Sequence, residues 1–193
     1  METNFNIYST ILASLQTLCQ GYIPAAILGI GLGMIVSSNS VLYHILKRCL
    51  QIPASIPAIA LLPIALIRFQ SNQITLVSII FFSAIWQIAI HTATGVIKSR
   101  REEKGSIVAI EHIFTGLRMG MILAWFTAIA GELLLGSKGI GFFVWDAYQT
   151  NETEKVFQGV FYIAIIGFLL DSLLELAGYL VSRPFANNQK DQS

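Results

Sequence analysis

Long apolar stretches separated by short polar ones run along most of the chain, and this pattern predicts membrane-spanning helices. Four such stretches occupy residues 10–36, 73–97, 113–135 and 156–181. Each reaches or exceeds the roughly 20 residues that a helix needs to cross a hydrocarbon core about 30 Å thick. Counting a shorter apolar stretch at residues 53–69, we predict an all-α fold, a polytopic bundle of about five transmembrane helices. The bundle would fill residues 1–184, and residues 185–193 would form a polar, frayed tail.

The shorter stretch at residues 53–69 is interrupted by Pro53, Pro57 and Pro63. Proline removes a backbone donor and bends or breaks a helix. Broken backbone survives at membrane depth only where protein or a water-filled cavity satisfies the freed polar groups. We therefore expect this span to lie inside the bundle rather than against lipid, with a simple structural kink as the alternative.

One dense run of charge lies between the third and fourth long spans. It contains Lys98, Arg100, Arg101, Glu102, Glu103 and Lys104. Such a run belongs in water, and basic loops face the cytoplasm. Five spans would then place nine Lys and Arg residues inside (47, 48, 98, 100, 101, 104, 118, 183 and 190) and three outside (68, 138 and 155). The chain is therefore predicted to have its N-terminus outside and its C-terminus inside, with residues 98–106 as a mobile, solvated connection.

Composition supports a membrane protein and excludes several functions. The chain is 54% hydrophobic and 12% charged, with a mean hydropathy of +0.66, whereas about a quarter of the residues in soluble domains are charged. A net charge of +1 leaves no basic face for nucleic acid. The two cysteines and three histidines lack metal-ligand spacing, and no phosphate loop or catalytic grouping is visible. We therefore expect no metal, no cofactor and no enzymatic activity, with membrane lipid as the surroundings.

Two acids, Glu132 and Asp171, fall within predicted spans. An ionisable group at mid-membrane costs about 2.5 to 3.5 kcal/mol on insertion scales, so it is kept where it is paired, faces a cavity or has a function. Glu132 is expected near the outer membrane interface, within reach of water, where structural pairing is favoured over a part in an outer gate. Asp171 lies midway along the last span and pairs with Arg118 only if that long side chain reaches inward. Between them, a glycine-rich segment is expected to form a structured outer loop with aromatics at the interface: Phe142, Phe143, Trp145 and Tyr148.

Four motifs in the chain carry a family resemblance. The first helix has S-L-x5-G-Y-x2-A-A from Ser14, followed by G-x-G-x-G from Gly29, and residues 51–69 read QIPASIPAIALLPIALIRF. Residues 116–147 follow the pattern G-L-R…A-W…E-L…G-x-G…W-D-A, and the last span carries an acid at Asp171. In this order and spacing, the motifs resemble the permease subunits of ATP-binding-cassette (ABC) importers, in the branch for nitrate, bicarbonate, taurine and alkanesulfonates.

The resemblance implies a transmembrane subunit that imports a small anion such as nitrate, bicarbonate or a sulfonate. Its implied partners are an ABC ATPase that hydrolyses ATP, a solute-binding protein, and a second copy or a related permease with which it forms a dimer. A bacterial inner membrane is the expected location, and an algal plastid membrane is the alternative. We assign the following residues to the transport pathway or its gate: Pro57, Pro63, Glu132, Gly139, Gly141, Trp145 and Asp171.

Two departures from the family pattern leave other functions open. Family members carry a further span ahead of the S-L-x5-G helix, and only a short polar lead, residues 1–9, precedes it here. Between Gly95 and Gly116 the chain also lacks the E-A-A-x3-G motif of the helix that docks into the ATPase. A permease-like scaffold or regulator that does not transport is therefore the main alternative. A proton-coupled carrier using Glu132 and Asp171 is disfavoured, because no internal repeat is visible.

Overall fold

The computed structural model describes residues 7–100 and 105–190, and all the regular elements in these two ranges are helices. In chain order they are α1 (Ile7–Val36), α2 (Ser40–Ala54), a short 3₁₀ helix (Ala58–Leu61), α3 (Leu62–Phe69), α4 (Asn72–Ser99), α5 (Gly105–Leu135), α6 (Ile140–Gln149) and α7 (Thr153–Lys190). The predicted all-α fold is confirmed.

The number of spans also agrees with the sequence. Helices α1, α4, α5 and α7 are each long and apolar enough to cross a membrane. A fifth span is formed if the bent pair Tyr43–Ala54 and Ala58–Phe69, with 68° between its two parts, crosses as one unit. The ends differ from prediction, because α7 continues through Pro184 to Lys190 where a frayed tail was expected. Residues 191–193 lie outside the described ranges.

Helix α4 is the centre of the bundle, with α1 on one side and α5 on the other. Its apolar residues Leu76, Ile79, Ile80 and Ile88 are almost completely buried. A helix that is apolar on several faces is stable where neighbouring helices cover it. Small residues complete this core on both neighbours, with Ala25 on α1 and with Ala124 and Ala128 on α5.

The approach of α1 to α4 depends on three glycines, whose spacing in the sequence predicts a helix face that another helix can approach closely. Gly21, Gly29 and Gly33 recur on one face of α1 and are all buried. A Cβ built on Gly33 would lie 2.6 Å from the Cβ of Thr92, and similar overlaps with Ile80 and Ile88 arise at the other two. Small residues at regular spacing let membrane helices pack backbone to backbone. These three glycines therefore allow α1 to pack closely against α4.

Replacing Gly33 with leucine is expected to destabilise the bundle by about 1 to 3 kcal/mol, the usual cost of overpacking a filled core. Gly31 is the matched control, because a Cβ there would meet nothing within 4 Å. Thermal unfolding in detergent should thus show a lower Tm for Gly33→Leu and little change for Gly31→Leu. Equal Tm values for the two variants would contradict the close packing of α1 on α4.

The stretch at residues 53–69 lies on the outside of the single chain and not inside the bundle as predicted; residues 53–63 within it are called the broken segment. Leu62 is buried against the core, but Ile64 is 65% exposed and Ile67 is 79% exposed. The break itself falls just before Pro57, which precedes the 3₁₀ helix. Pro63 does not bend its helix, because it sits in the first turn of α3, where its missing N–H is not needed.

The charged connection is shorter than predicted. Lys98 belongs to the last turn of α4, and Ser106 belongs to α5, so residues 98–106 are helical at both ends. The guanidinium of Arg100 lies 3.4 Å from the carbonyl oxygen of Ser38, between α1 and α2. The remaining residues of the predicted loop lie outside the described ranges: Arg101, Glu102, Glu103 and Lys104.

Arg118 does not belong to the cytoplasmic connection where the charge count placed it. It lies thirteen residues into α5, and its side chain is directed to α7. Removing it leaves eight inside charges against three outside. The predicted orientation, N-terminus outside, rests on this smaller difference.

Candidate functional site

A buried carboxylate lies near the end of α5 that leads to α6. Glu132 has no exposed surface, and neither does Ser14 on α1. The Ser14 hydroxyl donates a hydrogen bond of 2.9 Å to Oε2 of Glu132, and the backbone N–H of Gly141 donates a second one of 2.9 Å to the same oxygen. The sequence predicted a position near water for Glu132. The predicted access to water is wrong, because α1 and the start of α6 cover the side chain completely, whereas the favoured structural pairing agrees with these two hydrogen bonds.

The two side chains together cap the N-terminus of α6. Gly139 precedes the first turn and supplies no side chain, so the cap comes from other helices. The backbone N–H of Ile140 donates to the Ser14 hydroxyl at 2.8 Å, and that of Gly141 donates to Glu132. The first N–H groups of a helix lack partners within the helix, and its N-terminus favours negative charge. Glu132 and Ser14 therefore hold α6 against α5 and α1. We call these residues and the two glycines the α6 clamp.

Glycine is required at two positions of the α6 clamp. The backbone of Gly139 has φ of 157° and passes so close to Glu132 that a Cβ would overlap the carboxyl group. A Cβ on Gly141 would overlap the carbonyl oxygen of Ile129 and lie 2.9 Å from the Cβ of Glu132. The G-x-G motif thus lets the backbone approach the carboxylate closely enough for the Gly141 hydrogen bond.

The aromatics of α6 divide between the core and the surface. Phe143 is buried, which contradicts the interfacial position predicted for it. Trp145 is 42% exposed and Tyr148 is 65% exposed, with ring centroids 5.6 Å apart. Trp145 is therefore on the surface of α6 and outside the α6 clamp, while the clamp fixes the helix that carries it.

Asp171 forms a second polar contact, between α5 and α7. Arg118 donates from Nε to Oδ1 of Asp171 at 2.8 Å and from a terminal nitrogen to Oδ2 at 2.6 Å. The same terminal nitrogen lies 3.0 Å from Glu175. The pairing of Asp171 with Arg118, which the sequence predicted only if the arginine side chain reached inward, is therefore present. Arg118 and Glu132 are fourteen residues apart on α5, about 21 Å along the axis, so these are two separate contacts.

A cavity of about 300 Å³ lies between the broken segment and the middle of the bundle. It is bounded by the break at Ser55 and Pro57, by Trp86 of α4 and by Thr127 of α5, with Phe126 at its edge. Pro63 does not line it. All of its lining residues are uncharged, so it would not repel an anion as an acidic cavity would.

The sequence singled out Glu132, Gly139 and Gly141, which the structure brings together, but it missed Ser14 as their partner. Ser14 was noted only as the first residue of the S-L-x5-G motif. It lies 118 residues from Glu132 in sequence, and its spacing gives no sign of that contact. Its presence in the same family pattern as G-x-G was the one available signal.

Comparison of the sequence with known proteins identifies a matching family and several relatives. Residues 108–181 match the family model described as "Binding-protein-dependent transport system inner membrane component". The chain is 34% identical over 205 residues to "Nitrate import permease protein NrtB" of Leptolyngbya laminosa, covering 97% of this chain and 72% of that protein.

Two further relatives extend the comparison to other substrates. "Bicarbonate transport system permease protein CmpB" of Synechococcus elongatus is 39% identical over 178 residues, covering 83% of this chain and 64% of that protein. "Taurine transport system permease protein TauC" of Escherichia coli is 28% identical over 182 residues, covering 86% of this chain and 66% of that protein.

Proposed function

The chain belongs to the family of inner-membrane components of binding-protein-dependent transport systems, and we propose that it builds the membrane pathway for a small inorganic oxyanion. It is a multi-pass permease subunit of the ABC importer class. The observation that carries the proposal is the match to a nitrate permease along 97% of this chain. The match therefore extends over nearly the whole chain.

Nitrate or bicarbonate is the proposed substrate. Relatives named for these two anions are 34% and 39% identical to this chain, whereas the taurine permease is 28% identical. The neutral lining of the cavity beside the broken segment is compatible with an anion. Neither Glu132 nor Asp171 is a suitable ligand for an oxyanion, because like charges repel. Both acids are already engaged in contacts within the protein.

The α6 clamp is proposed to hold the outer gate. It fixes α6 to α1 and α5, and α6 presents Trp145 on its exposed surface. Pro57 and Pro63 belong to the segment proposed to move beside the pathway, where the bend of 68° separates two short helices. The Arg118 and Asp171 pair is proposed to keep α7 in place beside α5.

Three kinds of partner are proposed: an ATPase that supplies the energy, a solute-binding protein that selects the anion, and a second permease chain. The second chain would be a copy of this one or a relative. Five spans, one of them short and broken, scarcely enclose a pathway alone. The exposed Ile64 and Ile67 of α3 offer apolar surface that a second chain would cover.

Co-purification tests the proposed partners directly. The full chain, affinity-tagged and extracted from its native membrane in mild detergent, is expected to bring with it an ATPase of the ABC class and a solute-binding protein. Identification of the bound proteins by mass spectrometry is the measurement. Isolation as a stable monomer without any ATPase would contradict the proposal.

The alternative proposal is a permease-like scaffold or regulator that does not transport. It is favoured by the short distance between α4, which ends at Ser99, and α5, which begins at Gly105. The E-A-A motif is absent here, and residues 105–116 are part of the long helix α5. The discriminating experiment inserts the connection of an intact relative and measures anion uptake. Equal uptake by the unmodified chain would exclude this alternative.

A further inference from the structure

The cavity beside the broken segment lies level with the middle of α4, a helix long and apolar enough to cross a membrane. Trp86, on its wall, is fourteen residues from the start of α4 at Asn72 and thirteen from its end at Ser99. At 1.5 Å per residue, both ends are about 20 Å away. In secondary transporters, substrate sites lie at this depth, next to discontinuous helices.

The cavity wall contains irregular backbone. The N–H groups of Ser55 and Ile56 donate to the carbonyl oxygens of Gln51 and Pro53, and Pro57 has no N–H, so the break leaves no free backbone donor. Ser55, Ile56 and Pro57 lie between α2 and the 3₁₀ helix, and all three are exposed. Irregular backbone at membrane depth needs a protein or a water-filled space next to it. The 300 Å³ cavity is bounded by these residues, so it fits a hydrated pathway better than a surface in contact with lipid.

One hydrogen-bond donor at this cavity is unused. The indole N–H of Trp86 is buried and has no hydrogen-bond partner in the described part of the chain. The N–H of Trp125, on the other side of α5, is satisfied by the carbonyl oxygen of Ile163 at 3.2 Å. An unsatisfied buried donor lowers stability, so each such group in a native protein requires an explanation.

We propose that the N–H of Trp86 is kept for the substrate and donates a hydrogen bond to an oxyanion as it passes the broken segment. The inference rests on the proposed function as an anion permease. Thr127, buried on the α5 side of the same cavity, is a second donor of suitable chemistry. The N–H is covered in the present conformation, so the proposal requires the segment at the bend next to Pro57 to move and open the indole to the cavity.

The test compares Trp86→Phe with Trp125→Phe in the complete importer. Phenylalanine keeps an aromatic ring and removes the N–H in both variants. Uptake of isotope-labelled nitrate and of labelled bicarbonate is measured well below saturating concentration, where the rate depends on binding as well as on translocation, together with thermal stability. For Trp86→Phe we expect uptake of the preferred anion to fall about tenfold or more, as for loss of a hydrogen bond to a charged group. The ratio of the two uptake rates should change, while Tm should not fall, because the removed N–H has no partner in the described part of the chain.

Trp125→Phe is the matched control for Trp86→Phe. Trp125→Phe should lower Tm, because it removes a satisfied hydrogen bond, and should leave the nitrate to bicarbonate ratio unchanged. Thr127→Val should change the ratio in the same direction as Trp86→Phe. Unchanged uptake in Trp86→Phe, or a loss of Tm with both rates falling equally, would overturn the inference. If the unmodified importer carried neither anion, the proposed function would fail and this inference with it.

Discussion

Gly139→Ala is expected to destabilise the protein by about 2 to 5 kcal/mol, combining backbone strain with overpacking. The φ of 157° is unfavourable for alanine, and the new Cβ would overlap the buried carboxyl group of Glu132. Either α6 leaves its place or Glu132 loses its hydrogen bonds to Ser14 and Gly141. Anion uptake should fall together with Tm, because the proposed outer gate is no longer held.

Gly136→Ala is the matched control for this variant. Gly136 also has a positive φ, 60°, but a Cβ there would meet only a ring atom of Phe142 at an ordinary 3.9 Å. Gly136→Ala should therefore lower the free energy of unfolding only by the strain of a left-handed backbone, about 1 to 2 kcal/mol. A Tm for Gly139→Ala no lower than that for Gly136→Ala would show that the contact with Glu132 is unimportant.

Arg118→Ala is the second substitution with a large expected effect. It leaves Asp171 and Glu175 without their shared cation, and an unpaired acid within a membrane span costs about 2.5 to 3.5 kcal/mol on insertion scales. The side chains of Arg118 and Asp171 are 34% and 26% exposed, so a loss at or below the lower end of this range is expected. Unfolding in detergent, followed by tryptophan fluorescence, measures the change.

The charge-reversed double variant Arg118→Asp with Asp171→Arg separates pairing from other effects. It restores one ion pair between α5 and α7, so it should recover part of the stability that Arg118→Ala loses. Lys155→Ala removes a surface pair with Glu152, three residues earlier in the chain, and should change stability by less than about 1 kcal/mol. A double variant less stable than Arg118→Ala would argue against the pair as a tie between the two helices.

Much of the fold could be predicted from the pattern of apolar and small residues along the sequence. Apolar stretches of sufficient length predict α1, α4, α5 and α7, because a helix is the structure that pairs its own backbone groups in lipid. The glycine face of α1 follows equally well, since its spacing is that of a helix. These features depend on residues close together in sequence.

Features that depend on distant residues were predicted less well. The acid at position 132 is recognisable as unusual, but its burial depends on Ser14 of α1 and on the G-x-G turn that returns to it. The three prolines indicate a break, yet Pro63 fits into the first turn of α3, and Ile64 and Ile67 face outward.

ATP-driven anion uptake in proteoliposomes tests the central claim most directly. The full chain is reconstituted with the ATPase and the solute-binding protein that co-purify with it, and labelled nitrate or bicarbonate is supplied with the binding protein outside. The account predicts accumulation that requires ATP at the ATPase side and that falls in Gly139→Ala but not in Gly31→Leu. ATP hydrolysis with no accumulation of either anion, in a correctly assembled complex, would contradict it.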